Sequence, residues 1–182
     1  MREFLGPHRQ PGLEQARTGI IAPKPIPLES GTRLYRFANR LTHGWDHRAG
    51  PWWIDETAFE RIVARAERAG VDLASKARWD LAILPAWERS MDLLLQARVT
   101  ARLWAWTGLA KPQQQTLHDR MLRMFGNRDI RQLYLIGVAD LTDGVGVGDP
   151  NDRAMRAPMP TQLARQHLAI IGAKHIRGAT LP

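Results

Sequence analysis

The stretch from Gly31 to Ile54, GTRLYRFANRLTHGWDHRAGPWWI, constrains this chain more than any other. It gathers three of the seven tryptophans and four arginines, a density that suits the wall of a cleft better than a connector. Asn39, His43, Gly44, Asp46 and Gly50 break any periodicity in its middle, so the ends read as strands and the centre as a loop. In Arg33-Leu34-Tyr35-Arg36-Phe37, alternation places Leu34 and Arg36 on one face and Tyr35 and Phe37 on the other. Trp52-Trp53-Ile54 then returns as an aromatic strand. His43, Asp46 and His47 carry metal-ligating atoms, but a zinc centre takes three or four protein ligands with supporting partners. Solvated loop histidines are the ordinary reading.

Asp55-Glu56-Thr57 opens a helix with a capping residue and first-turn acids. Phe59, Ile62, Val63 and Ala66 follow at helical spacing, Gly70 ends the pattern, and Arg61, Arg65 and Arg68 fall on the outer face. A second helix is expected over Leu73–Trp79 with Asp72 as its cap. The apolar runs between 81 and 106 (LAILPAW, MDLLLQARV and ARLWAWTG) read as three strands. The stripe Leu117, Met121, Leu122 and Phe125 predicts a helix over 113–125, and Ile130–Ile136 alternates as a strand. A last helix is expected over 161–171, capped by Thr161, before an exposed basic tail with Lys174, His175 and Arg177. DGVGVGDPND at 143–152 reads as a surface loop, since no GK[ST] comes after it and its acids lack EF-hand spacing.

Five prolines between Pro7 and Pro27 make residues 1–30 an expected extended arm. Residues 31–182 are then one α+β domain, a mostly antiparallel sheet with flanking helices, because the connections are short. A chain of 182 residues is long enough to bury a proper core. With no cysteine, disulfides, thiolate metal sites and cysteine nucleophiles are excluded. Met1–Gln10 is charged and lacks the apolar stretch of a secretory signal, and no apolar run nears the roughly 18 residues of a membrane span. The expectation is a soluble cytoplasmic protein, or one delivered by a route that needs no cleaved signal. The net charge of +8, from 26 Lys+Arg against 18 Asp+Glu, is carried mostly by arginine and so suits phosphate or carboxylate partners.

The layout Leu34-Tyr35-Arg36, then Gly50-Pro51-Trp52-Trp53 running into a helix, resembles the opening of ADP-ribosyltransferase-like domains. In that family a first-strand arginine contacts the phosphates of NAD, and a late strand brings a glutamate to the nicotinamide ribose. The resemblance implies NAD contacts at Arg36, with Tyr35 and Trp53 beside it. The late strand Arg131-Gln132-Leu133-Tyr134-Leu135 holds Gln132 where the family carries its acid, and every glutamate of this chain lies at or before Glu88. Trp52-Trp53 also lacks the family's serine motif. An amide can hydrogen-bond the ribose hydroxyl but cannot balance the developing positive charge, a loss of roughly 3 kcal/mol. The resemblance thus implies an effector or toxin that binds NAD and modifies a macromolecular target, slowed or using an acid from elsewhere, with Asp129 and Asp140 nearest. In this reading Gln132 acts at the catalytic position and faces one cleft with Arg36. The alternative is a non-catalytic basic module for nucleic acid or an acidic protein partner.

Overall fold

A computed structural model describes residues 12–39, 50–88, 90–117, 119–138 and 161–179 of the chain. The two strands expected around the basic loop are β2 (Arg33–Ala38) and β3 (Trp52–Asp55), and they pair antiparallel with Tyr35 opposite Ile54. Asp55 ends β3 and caps the next helix, α2 (Glu56–Ala69), its carboxylate accepting the Ala58 N–H at 2.7 Å. Gly70 stops that helix in the left-handed region at φ 64°, where a side chain would be strained. Asp72 caps α3 (Leu73–Asp80) in the same way, through the Ser75 N–H at 2.7 Å.

The remaining elements are α1 (Leu13–Gly19), β1 (Ile20–Leu28), β4 (Leu93–Val99), β5 (Leu103–Ala110), β6 (Gln113–Leu117), β7 (Arg120–Met124), β8 (Arg131–Leu135), α4 (Gln162–His167) and β9 (Leu168–His175). Seven strands form one sheet in the order β1-β5-β8-β3-β2-β4-β9, each pairing antiparallel, while β6 and β7 make a separate hairpin. The chain is therefore α+β with a mostly antiparallel sheet. The late strand β8, the aromatic strand β3 and the arginine strand β2 lie side by side at its centre.

One face of the sheet buries Tyr35, Phe37 and Ile54 against α2 and α3, and farther along buries Trp106 and Tyr134 against α1. The other gathers Leu34, Ala38, Trp53, Leu95, Leu133 and Leu135 with Ala164 of α4 into one cluster. Among the described residues no helix is long and apolar enough to cross a membrane.

Four expectations are corrected. Residues 13–28 are not part of an arm: they form α1 and the edge strand β1, with Pro25 opposite Trp106 and Pro27 opposite Trp104. Proline is tolerated there because an edge strand needs no donors on its outer side. The expected helix over 113–125 is the β6–β7 hairpin. Leu122 and Met124 pack on Ala82, Leu84 and Ala110, whereas Met121 and Phe125 stay exposed, so the apparent stripe never was one face. LAILPAW forms turns and not a strand, while the other two runs are β4 and β5. The last helix ends at His167, because Leu168 goes extended and pairs with Val99 as the start of β9.

Candidate functional site

Arg36 stands between Leu34 and Ala38 on β2, on the face away from α2 and α3. Its side chain is only 9% exposed, and its Nη2 donates to Glu88 Oε1 at 3.3 Å. Gly50 lies flat against the guanidinium: a Cβ there would fall 0.9 Å from Arg36 Nη1. The Gly50 carbonyl accepts the Trp53 indole N–H at 2.6 Å, so Trp53 fixes the backbone that closes over Arg36. At the end of the strand, Asn39 Oδ1 accepts from Ser90 N–H at 2.8 Å, Ser90 Oγ–H at 3.0 Å and Met91 N–H at 2.9 Å, which ties β2 to the approach to β4.

Glu88 arrives on an irregular segment. The Trp87 and Glu88 N–H groups both donate to Leu84 O, at 2.9 and 3.3 Å, and Ala86 N–H donates to Gln115 Oε1 at 3.1 Å. From α3, the fully buried Arg78 donates through Nη1 to Ile83 O at 3.2 Å and through Nη2 to Glu88 O at 2.7 Å. Burial lowers the Arg36 pKa, and the neighbouring Glu88 charge opposes that. Burial likewise raises the Glu88 carboxyl, against the attraction of Arg36 and then Arg78. A guanidinium stays protonated in either case, so the titrating member of this group is Glu88. Its side chain, 21% exposed, opens the pair to solvent.

The expected site residues are split between the two faces. Trp53 shares the Arg36 face but is 2% exposed, its edge used on Gly50. Tyr35 points the other way, stacked on Phe59 with ring centroids 4.0 Å apart, its hydroxyl accepting from Gln96 Nε2 at 3.1 Å and donating to Glu56 Oε1 at 3.5 Å. Gln132 is also on the helix-bearing face, because its neighbour Leu133 is in register with Trp53. It is buried, and its amide donates to the Leu81 carbonyl, tying β8 to the end of α3. Gln132 and Tyr134 do lie opposite Leu133 and Leu135, but the cleft expected to join Gln132 with Arg36 is corrected, since strand alternation sends them to opposite faces. Of the two acids that open α2, Asp55 serves as its cap and Glu56 pairs with Arg33 at 2.9 Å, so neither is the partner that Arg36 takes in Glu88.

Glu88 and Arg78 are the residues that sequence reasoning missed. Nothing in LAILPAWERS marks its glutamate as the partner of an arginine on β2. Elsewhere, Arg61, Arg65 and Arg68 of α2 line an open groove of about 400 Å³ with Asp129. Arg61 donates to Asp129 O and Arg65 to Asp129 Oδ2, both at 2.8 Å. Of the seven tryptophans, Trp106 is core, Trp52 meets Tyr134 edge-on at 5.1 Å, and Trp79 and Trp87 are exposed. Burial pushes the Tyr134 hydroxyl up to about 12. The loop of His43, Asp46 and His47, the glycine-rich 143–152 and Asp140 lie outside the described residues.

No protein-family model matches the chain, and no curated protein matches it. Among solved structures, a chain of the complex of Tne2 with Tni2 is similar at 14% identity and a TM-score of 0.46, over 87% of this chain and 94% of that one.

Proposed function

We propose that this chain binds NAD and acts as an ADP-ribosyltransferase-like effector, with the Arg36–Glu88 pair as its ligand-facing centre. The observation that carries the reading is the carboxylate of Glu88, 3.3 Å from the arginine of β2. It supplies near Arg36 the acid that the late strand lacks. A dinucleotide pyrophosphate satisfies a guanidinium bidentately and so competes with Glu88 for Arg36. The released carboxylate then accepts the ribose 2′-hydroxyl proton in a hydrogen bond. When the C1′–N glycosidic bond breaks, nicotinamide leaves with the electron pair, and the negative carboxylate offsets the oxocarbenium charge until a target nucleophile or water adds and loses its proton. A strand arginine with no acid beside it would bind the dinucleotide without assisting that step.

NAD at millimolar concentration is expected to raise the melting temperature, because a ligand that binds only the folded state stabilises it by mass action. Arg36→Ala removes that rise. Glu88→Gln keeps it but lowers nicotinamide release on the order of a hundredfold. No rise with NAD in the unaltered chain sinks the proposal. A rise without nicotinamide release leaves a binder in place of a transferase.

A second reading, a basic binding face for nucleic acid or an acidic protein, is favoured by one observation: the groove of Arg61, Arg65 and Arg68 along the outer side of α2.

A further inference from the structure

Arg78 has no role in the proposed chemistry, yet it is the most enclosed charged side chain among the described residues. Its guanidinium leaves α3 and grips two carbonyls five residues apart, Ile83 O and Glu88 O. The segment between them has neither helix nor strand pairing to set its path. Its other hydrogen bonds include those of the Trp87 and Glu88 N–H groups to the Leu84 carbonyl and of the Ala86 N–H to Gln115, and Leu84 is buried against Ala82, Ala110 and Met124. The Glu88 backbone is thus held at its N–H by Leu84 and at its carbonyl by Arg78. An apolar residue would fill the same space under α3 at no desolvation cost, but it could not reach either carbonyl. A lysine ammonium is a point charge and lacks the planar fork that spans both.

We infer that Arg78 is a positioning residue: by holding the 83–88 segment at both ends it sets the Glu88 carboxylate on Arg36 before any ligand arrives. What the carboxylate then does rests on the proposed NAD reading; the positioning itself is measurable without NAD.

The test uses Arg78→Lys and Arg78→Met in the full chain, with glutamate side chains labelled at the carboxyl carbon and followed by NMR against pH. Glu88→Gln assigns the Glu88 signal. Contact with Arg36 holds the Glu88 midpoint below the value that burial alone would give it. Arg78→Lys keeps the charge and loses the fork, so the midpoint is expected to move by about one pH unit as Glu88 leaves its place, upward where the Arg36 contact is lost in a buried position and downward where the carboxylate swings into solvent. Arg78→Met, which also removes a charge that favours the carboxylate, is expected to displace the midpoint as well; if that variant does not fold, the lysine variant decides. A folded Arg78→Lys with an unmoved midpoint overturns the inference, even if its melting temperature falls, because only packing would then have been lost. Absence of an NAD effect in the unaltered chain counts against the NAD reading and leaves this titration result standing.

Discussion

At the scale of single residues, Glu88 links stability to pH in a direction unusual for an ion-paired carboxylate. Burial raises its folded pKa above the ordinary 4.5, with Arg36 opposing but not reversing the shift. The folded chain therefore holds this proton more tightly than the unfolded chain does. The contribution of Glu88 to stability is greatest below the ordinary value, falls as pH rises towards the folded value, and levels off above it. The slope within that window approaches about 1.4 kcal/mol per pH unit. Glu88→Gln removes this titration, so the difference between the two profiles isolates the contribution of the Glu88 carboxyl. Urea unfolding at steps from about pH 4 to about pH 8 should show the wild-type advantage shrinking across the lower part of that range. Parallel profiles would mean that the Glu88 carboxyl is not desolvated.

At the scale of elements, the first described segment decides whether the sheet has a finished edge. Ala16 of α1 and Ile20 of β1 cover Trp106 and Tyr134, and β1 pairs with β5 from Ile20 to Leu28. A chain beginning at Ser30 loses that ladder and uncovers two aromatic rings. Burying one side chain the size of Ile20 contributes roughly 1.5–3 kcal/mol, and a domain has only about 5–15 kcal/mol in total. The shortened chain is expected to melt without a cooperative transition, with loss of near-ultraviolet tryptophan signal. Melting like the full chain would mean that this segment adds nothing to the cooperative core and behaves as the expected arm. Proline content pointed to such an arm because proline removes donors, and that same loss costs nothing on the outer side of an edge strand. The β6–β7 hairpin shows the converse: helical spacing in Leu117, Met121 and Leu122 was outweighed by packing of Leu122 and Met124 under Leu84.

At the scale of the whole molecule, the net charge of +8 and the arginine groove of α2 give the second reading its own test. A basic nucleic-acid face binds a mixed oligonucleotide with an affinity that falls linearly, in log–log form, as salt rises. Fluorescence anisotropy at low salt is the most permissive condition. Binding there that is lost in Arg61→Glu/Arg68→Glu favours this reading, and no binding at low salt ends it. The sequence by itself determined the elements whose signals are local. Asp55 and Asp72 mark helix starts and Gly70 a stop, through backbone groups within a few residues. Alternation in Arg33–Phe37 and Ile130–Ile136 marks strands and also tells which side chains share a face. That alternation already separated Tyr35 from Arg36. Only the tertiary structure decided that Gln132 lies opposite Arg36, because that depends on Leu133 being in register with Trp53, eighty residues earlier in the chain. It also decided that Glu88 meets Arg36, since an irregular segment held by Arg78 has no periodicity from which its destination can be read. Short-range hydrogen bonds leave a pattern in the chain; strand register and the ends of buried ion pairs are set by packing over long separations.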